Sequence, residues 1–160
     1  MQIYLLRHGI AEDAAPGHSD SERALTGEGK EKLRRVLKRA RAADVSPSLI
    51  LSSPYKRALE TADVAAEVLG YKGKILRTRA LTPDASPYDT WSEMREHKDE
   101  PAILVASHEP LMSSLAAFLL NSPSLIVDMK KAALMRVDFP RVTAQPHGML
   151  KWMLVPGVAE

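Results

Sequence analysis

A three-layer α/β/α sandwich around a mostly parallel central sheet is expected for this chain from three observations. Short apolar runs alternate with helical stretches along most of its 160 residues, the pattern of successive βαβ units. The run Ala102-Ile103-Leu104-Val105-Ala106 is apolar throughout, as in a strand buried on both faces. Finally, three apolar runs stop abruptly at polar residues: Arg7-His8-Gly9, Ser52-Ser53-Pro54 and Ser107-His108-Glu109-Pro110. Right-handed crossovers bring the ends of parallel strands to one edge, so these three stops should meet.

Each element has a local reason. Ile3-Tyr4-Leu5-Leu6 reads as the first strand, and residues 9–26, polar and small with Pro16 and Gly17, read as a long loop; loops of that length are often functional. Over residues 27–43, Leu33, Val36, Leu37 and Ala40 recur at helical spacing behind Thr26, a plausible N-cap. Leu49-Ile50-Leu51 is a short strand. After it Ser53 suits an N-cap and Pro54 the first helical position, with Ala58, Ala62, Ala65, Ala66 and Leu69 forming an apolar face that ends at Gly70.

Residues 74–77 read as a short strand, and Ser86-Pro87 opens a helix with Asp89 in its first turn. Pro110 should start the helix that follows the buried run and continues to about residue 120. Two last strands, at residues 133–138 and 150–154, are joined by a loop holding Pro140 and Pro146 and look like a closing hairpin or edge pair.

Composition narrows the classes. The length fits one domain, and 45% hydrophobic with 26% charged residues is ordinary for a globular protein. Without cysteine there are no disulfides, no thiolate chemistry and no cysteine-ligated zinc or iron–sulfur centre. No run approaches the roughly 18 apolar residues of a membrane span, and the chain enters its first strand without the pattern of a signal peptide, so a cytoplasmic location and no membrane partner are expected. No cofactor is expected, because no H-x-x-x-H or carboxylate spacing marks a metal site. Gly27-Glu28-Gly29-Lys30 lacks the spacing of a phosphate loop. Oligomeric state is open, with a monomer favoured.

A net charge of +2 is too small for a strong polyanion binder, and no nucleic acid is expected as a partner. Lys30, Lys32, Arg34, Arg35, Lys38, Arg39 and Arg41 nevertheless crowd one predicted helix. They could dock an acidic partner, but Glu28 and Glu31 precede Lys32 and Arg35 by four residues, the favourable order for helix ion pairs, and favour a solvated face.

The candidate site rests on convergence. Arg7 and His8 end the first strand, Arg57 lies one helical turn past the second, and His108 follows the buried run. Two guanidiniums offer forked donors to an anion such as phosphate, and the helix N-terminus near Arg57 favours one too. A lone histidine at a strand end is usually structural. Two histidines with two arginines at one edge would repel one another without an anion. His18, His97 and His147 lack such placement and read as surface or loop residues.

Arg7-His8-Gly9, then Ser52-Ser53-Pro54 through Arg57-Ala58 and Thr61-Ala62, then Ser107-His108-Glu109-Pro110, resemble in order the motifs of the histidine phosphatase superfamily, with its phosphoglycerate-mutase-like fold. The chain length, the Met1-Gln2 start and Arg23-Ala24-Leu25-Thr26 are most similar to the small SixA-type phosphohistidine phosphatases. The resemblance implies that His8 is the nucleophile, carrying a phosphohistidine intermediate that water hydrolyses, while Arg7, Arg57 and His108 hold the phosphoryl oxygens. Arg23 is a further candidate phosphate contact. It also implies a metal-independent enzyme acting on phosphohistidine in a phosphorylated partner protein. A phosphatase for small phosphoesters and a noncatalytic phosphate-binding docking module are the alternatives. No residue matches a general acid; Glu109 and Asp20 are candidates, with plain loop carboxylates the favoured reading. His8 must keep its attacking nitrogen unprotonated, which requires the other nitrogen to donate to a fixed acceptor such as a backbone carbonyl.

Overall fold

Alternation along the strands sorts the core into two layers. The computed structural model describes residues 1–158. Among them, six strands form one sheet in the order β3-β2-β4-β1-β5-β6: β1 (Gln2–Arg7), β2 (Leu49–Ser52), β3 (Ile75–Arg77), β4 (Ala102–Ser107), β5 (Leu134–Asp138) and β6 (Met149–Leu154). Tyr4, Leu6, Ile50 and Leu104 point to one side, where they meet Leu33, Leu37, Ala62 and Ala65 of α1 (Gly27–Ala42) and α2 (Lys56–Leu69). Ile3, Leu5, Leu51, Ile103 and Val105 point to the other, against Trp91, Met94, Leu111 and Leu115 of α3 (Pro87–Arg95) and α4 (Leu111–Leu119). The expected sandwich is present, and none of its helices is long and apolar enough to cross a membrane.

The four strands β1 to β4 pair in parallel, and β5 and β6 add antiparallel at one side, the expected edge pair. Helix starts follow local chemistry: Thr26 accepts from Gly29 N at 2.9 Å before α1, and Ser86 accepts from Asp89 N at 3.1 Å before α3.

Two details depart from the sequence reading. The helix after β2 is capped at Tyr55 and begins at Lys56, not at Pro54; the Ser53 hydroxyl accepts from Tyr55 N and also meets His108. The long loop is also partly structured: Ala11 bridges to Leu25, and Asp20–Glu22 form a 3₁₀ turn.

Topology decides where a ligand can sit. β1 and β4 are neighbours, yet α1, which follows β1, covers one face and α4, which follows β4, covers the other. The chain parts at the carboxyl ends of these two strands, leaving a crevice at the switch point of the sheet. His8 and His108 are the residues that immediately follow them.

Candidate active site

The two buried imidazoles stand with ring centres 5.1 Å apart. His8 Nδ1 lies 2.7 Å from the carbonyl of Gly9. A carbonyl only accepts, so Nδ1 carries the proton and the lone pair is on Nε2. That nitrogen faces Arg57, whose Nε donates to it at 3.4 Å. The backbone that sets this tautomer is itself fixed, since Gly9 N donates to Thr61 Oγ1 at 3.2 Å and Thr61 Oγ1 donates to the Arg57 carbonyl at 2.7 Å. A Cβ at position 9 would lie 3.2 Å from the Gly29 carbonyl and 3.4 Å from the Leu25 side chain, a tight fit that requires those neighbours to give by a few tenths of an ångström.

Arg57, in the first turn of α2, is 4% exposed and held at its tip by Asp20. Its terminal nitrogens donate to the Asp20 carbonyl at 2.8 Å and to Asp20 Oδ2 at 3.0 Å. Arg23 does not reach the imidazoles directly; it donates to Asp20 Oδ1 at 2.8 Å and to the Glu12 carbonyl at 3.0 Å. Arg7 turns towards the chain before β5, donating to the Met129 carbonyl at 2.8 Å.

His108 Nε2 lies 2.8 Å from Ser53 Oγ, which also accepts from Tyr55 N at 3.2 Å. Assigning the Ser53 hydroxyl proton to Nε2 puts the His108 proton on Nδ1. In that assignment Nδ1 of His108, like Nε of Arg7, is a buried donor without a partner among the described residues. Tyr55 closes this side, its ring 5.0 Å from that of His108 and 5.1 Å from the Arg57 guanidinium.

The repulsion expected among four cationic groups is relieved in two ways, which corrects the sequence reading. Burial, against a raising contribution from the Gly9 carbonyl and together with the charges of Arg57, Arg7 and Lys131, brings the His8 pKa down to about 4. Burial, then the neighbouring His8 and Arg57, brings His108 down to about 3. Both imidazoles are thus neutral at pH 7. Burial raises the Asp20 carboxyl, but hydrogen bonds and charge from Arg57 and Arg23 outweigh it and hold the group below the ordinary carboxylate range, so it supplies the counter-charge.

The structure gathers His8, Arg57 and His108 in one place, with Arg7 adjoining and Arg23 one residue removed. Asp20 is more than a loop carboxylate, because it is the partner of Arg57. Glu109 accepts from Ser113 N at 2.7 Å in the first turn of α4. His18, His97 and His147 are remote, beside Glu22, Glu93 and Asn121. Sequence reasoning missed Ser53, Tyr55 and Thr61 as members of the site. The one available signal was their place within the stretch from Ser52 to Ala62 that already held Arg57.

Fold and crevice together define a class. The family model "Histidine phosphatase superfamily (branch 1)" matches residues 3–81, and the chain belongs to this superfamily of phosphatases. Among its relatives is the phosphohistidine phosphatase SixA of Escherichia coli, 31% identical over 119 residues that cover 73% of each chain. An uncharacterized protein of Picosynechococcus is 28% identical over 96% of this chain and 99% of its own length. The solved structure of the protein histidine phosphatase SixA complexed with tungstate superposes with a TM-score of 0.83 at 25% identity, covering 98% of this chain and 97% of that one. The alpha-ribazole phosphatase of Shigella flexneri shares the fold at a TM-score of 0.69 and 19% identity, over 94% and 95% of the two chains.

Proposed function

We propose that this chain is a phosphatase for phosphohistidine on a partner protein, working through a covalent intermediate on His8. The observation that carries the reading is the 2.7 Å contact of His8 Nδ1 with the Gly9 carbonyl, which leaves a neutral imidazole with its Nε2 lone pair towards Arg57.

In the first step the Nε2 lone pair of His8 forms a bond to phosphorus, and the P–N bond of the substrate breaks with its electron pair passing to the departing imidazole. In the second, water attacks phosphorus, the His8–phosphorus bond breaks, and inorganic phosphate leaves. Arg57, Arg7 and His108 hold the phosphoryl oxygens through both. Phosphoryl transfer leaves a protein mostly positioning and charge stabilisation to supply, which is what this donor set offers. An incoming phosphoryl group replaces Asp20 on the Arg57 guanidinium. It also satisfies Arg7 Nε and His108 Nδ1, whose unpaired burial costs about 1–3 kcal/mol each. The tungstate held by the structurally similar SixA is an oxyanion and agrees with such a pocket.

Phosphohistidine is favoured over a phosphoester by the state of the carboxylates. An alkoxide needs a proton from an enzyme acid, whereas a substrate imidazole protonated by solvent leaves readily. Asp20 is an ion-paired carboxylate and Glu109 is bound to the first turn of α4. Arg23 acts in this reading through Asp20, as a positioning residue. The test offers the purified protein a phosphohistidine-bearing protein domain and a panel of sugar phosphates. Preference for the phosphoprotein is expected; strong preference for the sugar phosphates overturns the substrate assignment.

A further inference from the structure

Much of the cationic face of α1 is neutralised within the chain. Lys30 pairs with Glu60, Arg34 with Glu67 and Arg35 with Glu31, and Arg41 donates to the Val68 carbonyl. One α1 lysine, Lys32, also stands beside the catalytic edge, together with Lys130 and Lys131. Lys32, Lys130 and Lys131 line an open cavity of about 580 Å³ whose wall also includes Arg7 and, among the described residues, no carboxylate. Lys32 and Lys130 each approach a carboxylate outside that wall, Glu28 at 3.1 Å and Asp128 at 2.9 Å, in exposed pairs of the kind that exchange partners at little cost. Lys131 has no ion pair among the described residues.

Lys130 and Lys131 are fixed to the site through the residue that follows them. Ala132 N lies 3.1 Å from the carbonyls of both Arg7 and His8. Ala132 has a φ of 64°, a left-handed conformation that a non-glycine residue keeps only where its surroundings impose it. The charge of Lys131 reaches the imidazole of His8. The cavity wall thus shares Arg7 with the candidate site.

We infer that Lys32, Lys130 and Lys131 form a docking shelf for a carboxylate-rich segment flanking the phosphohistidine of the protein substrate. The inference rests on the proposed function. A polypeptide is the occupant because it can fill the shelf and the crevice at once, with its phosphohistidine in one and neighbouring aspartates or glutamates in the other. Opposite charges on the two surfaces raise the encounter rate and orient the segment.

Two phosphohistidine peptides of equal length test this, one flanked by Asp and Glu and the other by Ser and Gln. The wild-type protein should show a kcat/KM about tenfold higher for the acidic peptide at low ionic strength, and the preference should shrink as salt screens the surface. A variant with Lys32→Gln, Lys130→Gln and Lys131→Gln should treat the two peptides alike, and Lys131→Glu should favour the neutral one. Equal use of both peptides by the wild type, or a preference that survives in the triple variant, overturns the shelf and leaves the proposed function standing. If neither peptide is hydrolysed while sugar phosphates are, the proposed function falls and the shelf with it.

Discussion

The cations of α1 lie within one short stretch of sequence, whereas Arg7, His8, Arg57 and His108 arrive from three distant segments, and the two groups meet opposite fates. On α1, long side chains reach carboxylates one turn away or across to α2, and stay in water. At the sheet edge the groups are largely withdrawn from water, two of them give up their charge, and Arg57 is balanced by a single aspartate. Exposed ion pairs are worth little because water competes for both partners. A buried donor has no such competitor, so its next partner can be a substrate. Density of charge along the chain is thus a poor guide to a site; convergence through the fold is a good one.

The contrast can be broken most sharply at His8. His8→Ala should abolish turnover and remove an acid-labile, base-stable phosphoenzyme that rapid quenching detects in the wild type; unchanged turnover would refute the nucleophile. Arg57→Ala should lower kcat by roughly 10³-fold or more, the scale of a charge-stabilising arginine in phosphoryl transfer, and a loss below tenfold would return Arg57 to the class of the α1 residues. Acid offers a third probe. Protonation consumes the Nε2 lone pair, and the depressed pKa of His8 postpones that event, so kcat/KM, once corrected for the substrate's own protonation, should show its His8 limb, a fall of about tenfold per unit, only below about 4. A limb near the ordinary histidine value of about 6.5 would show an exposed imidazole instead.

Smaller effects sharpen the comparison. Asp20→Asn removes the counter-charge of Arg57 but no reacting group, and should change phosphohistidine turnover by less than about tenfold; a loss of about 10²–10⁴ would identify Asp20 as an acid. Arg34→Gln, which breaks an exposed pair with Glu67 at 3.0 Å, should leave turnover unchanged and shift stability by no more than about 0.5 kcal/mol in chemical denaturation.

The legible parts of the molecule are those that periodicity or a strand end reveals. The β1 and β4 runs, the apolar stripe of α1 and the placement of His8 and His108 all follow from residue patterns, because burial on a sheet or helix face leaves a period in the sequence. What escaped notice depends on partners met only in three dimensions. Ser53 reads as a helix cap from its neighbours, yet its hydroxyl faces a histidine 55 positions away. Asp20 reads as a candidate acid or a plain loop carboxylate, and its role as the partner of Arg57 shows only once α2 presents that guanidinium to it. The acceptor that sets the His8 tautomer is the backbone of Gly9, and a carbonyl has no letter in a sequence. The basic helix reads as a solvated, ion-paired face, and Lys32 with Glu28 and Arg35 with Glu31 pair as expected; its further partners Glu60 and Glu67 belong to another helix and leave no mark in the local sequence.

The pairing of β1 with β4 has a kinetic side. Their register sets Gln2 beside Ala102 and Arg7 beside Ser107, contacts of high contact order whose loop-closure entropy must be met before any strand-to-strand gain. During synthesis, His8 leaves the ribosome well before its companion His108, which follows only after β4. A nascent or truncated chain ending before that point holds His8 without its crevice, so phosphatase activity should arise in one step with completion of the parallel core, never gradually with chain length.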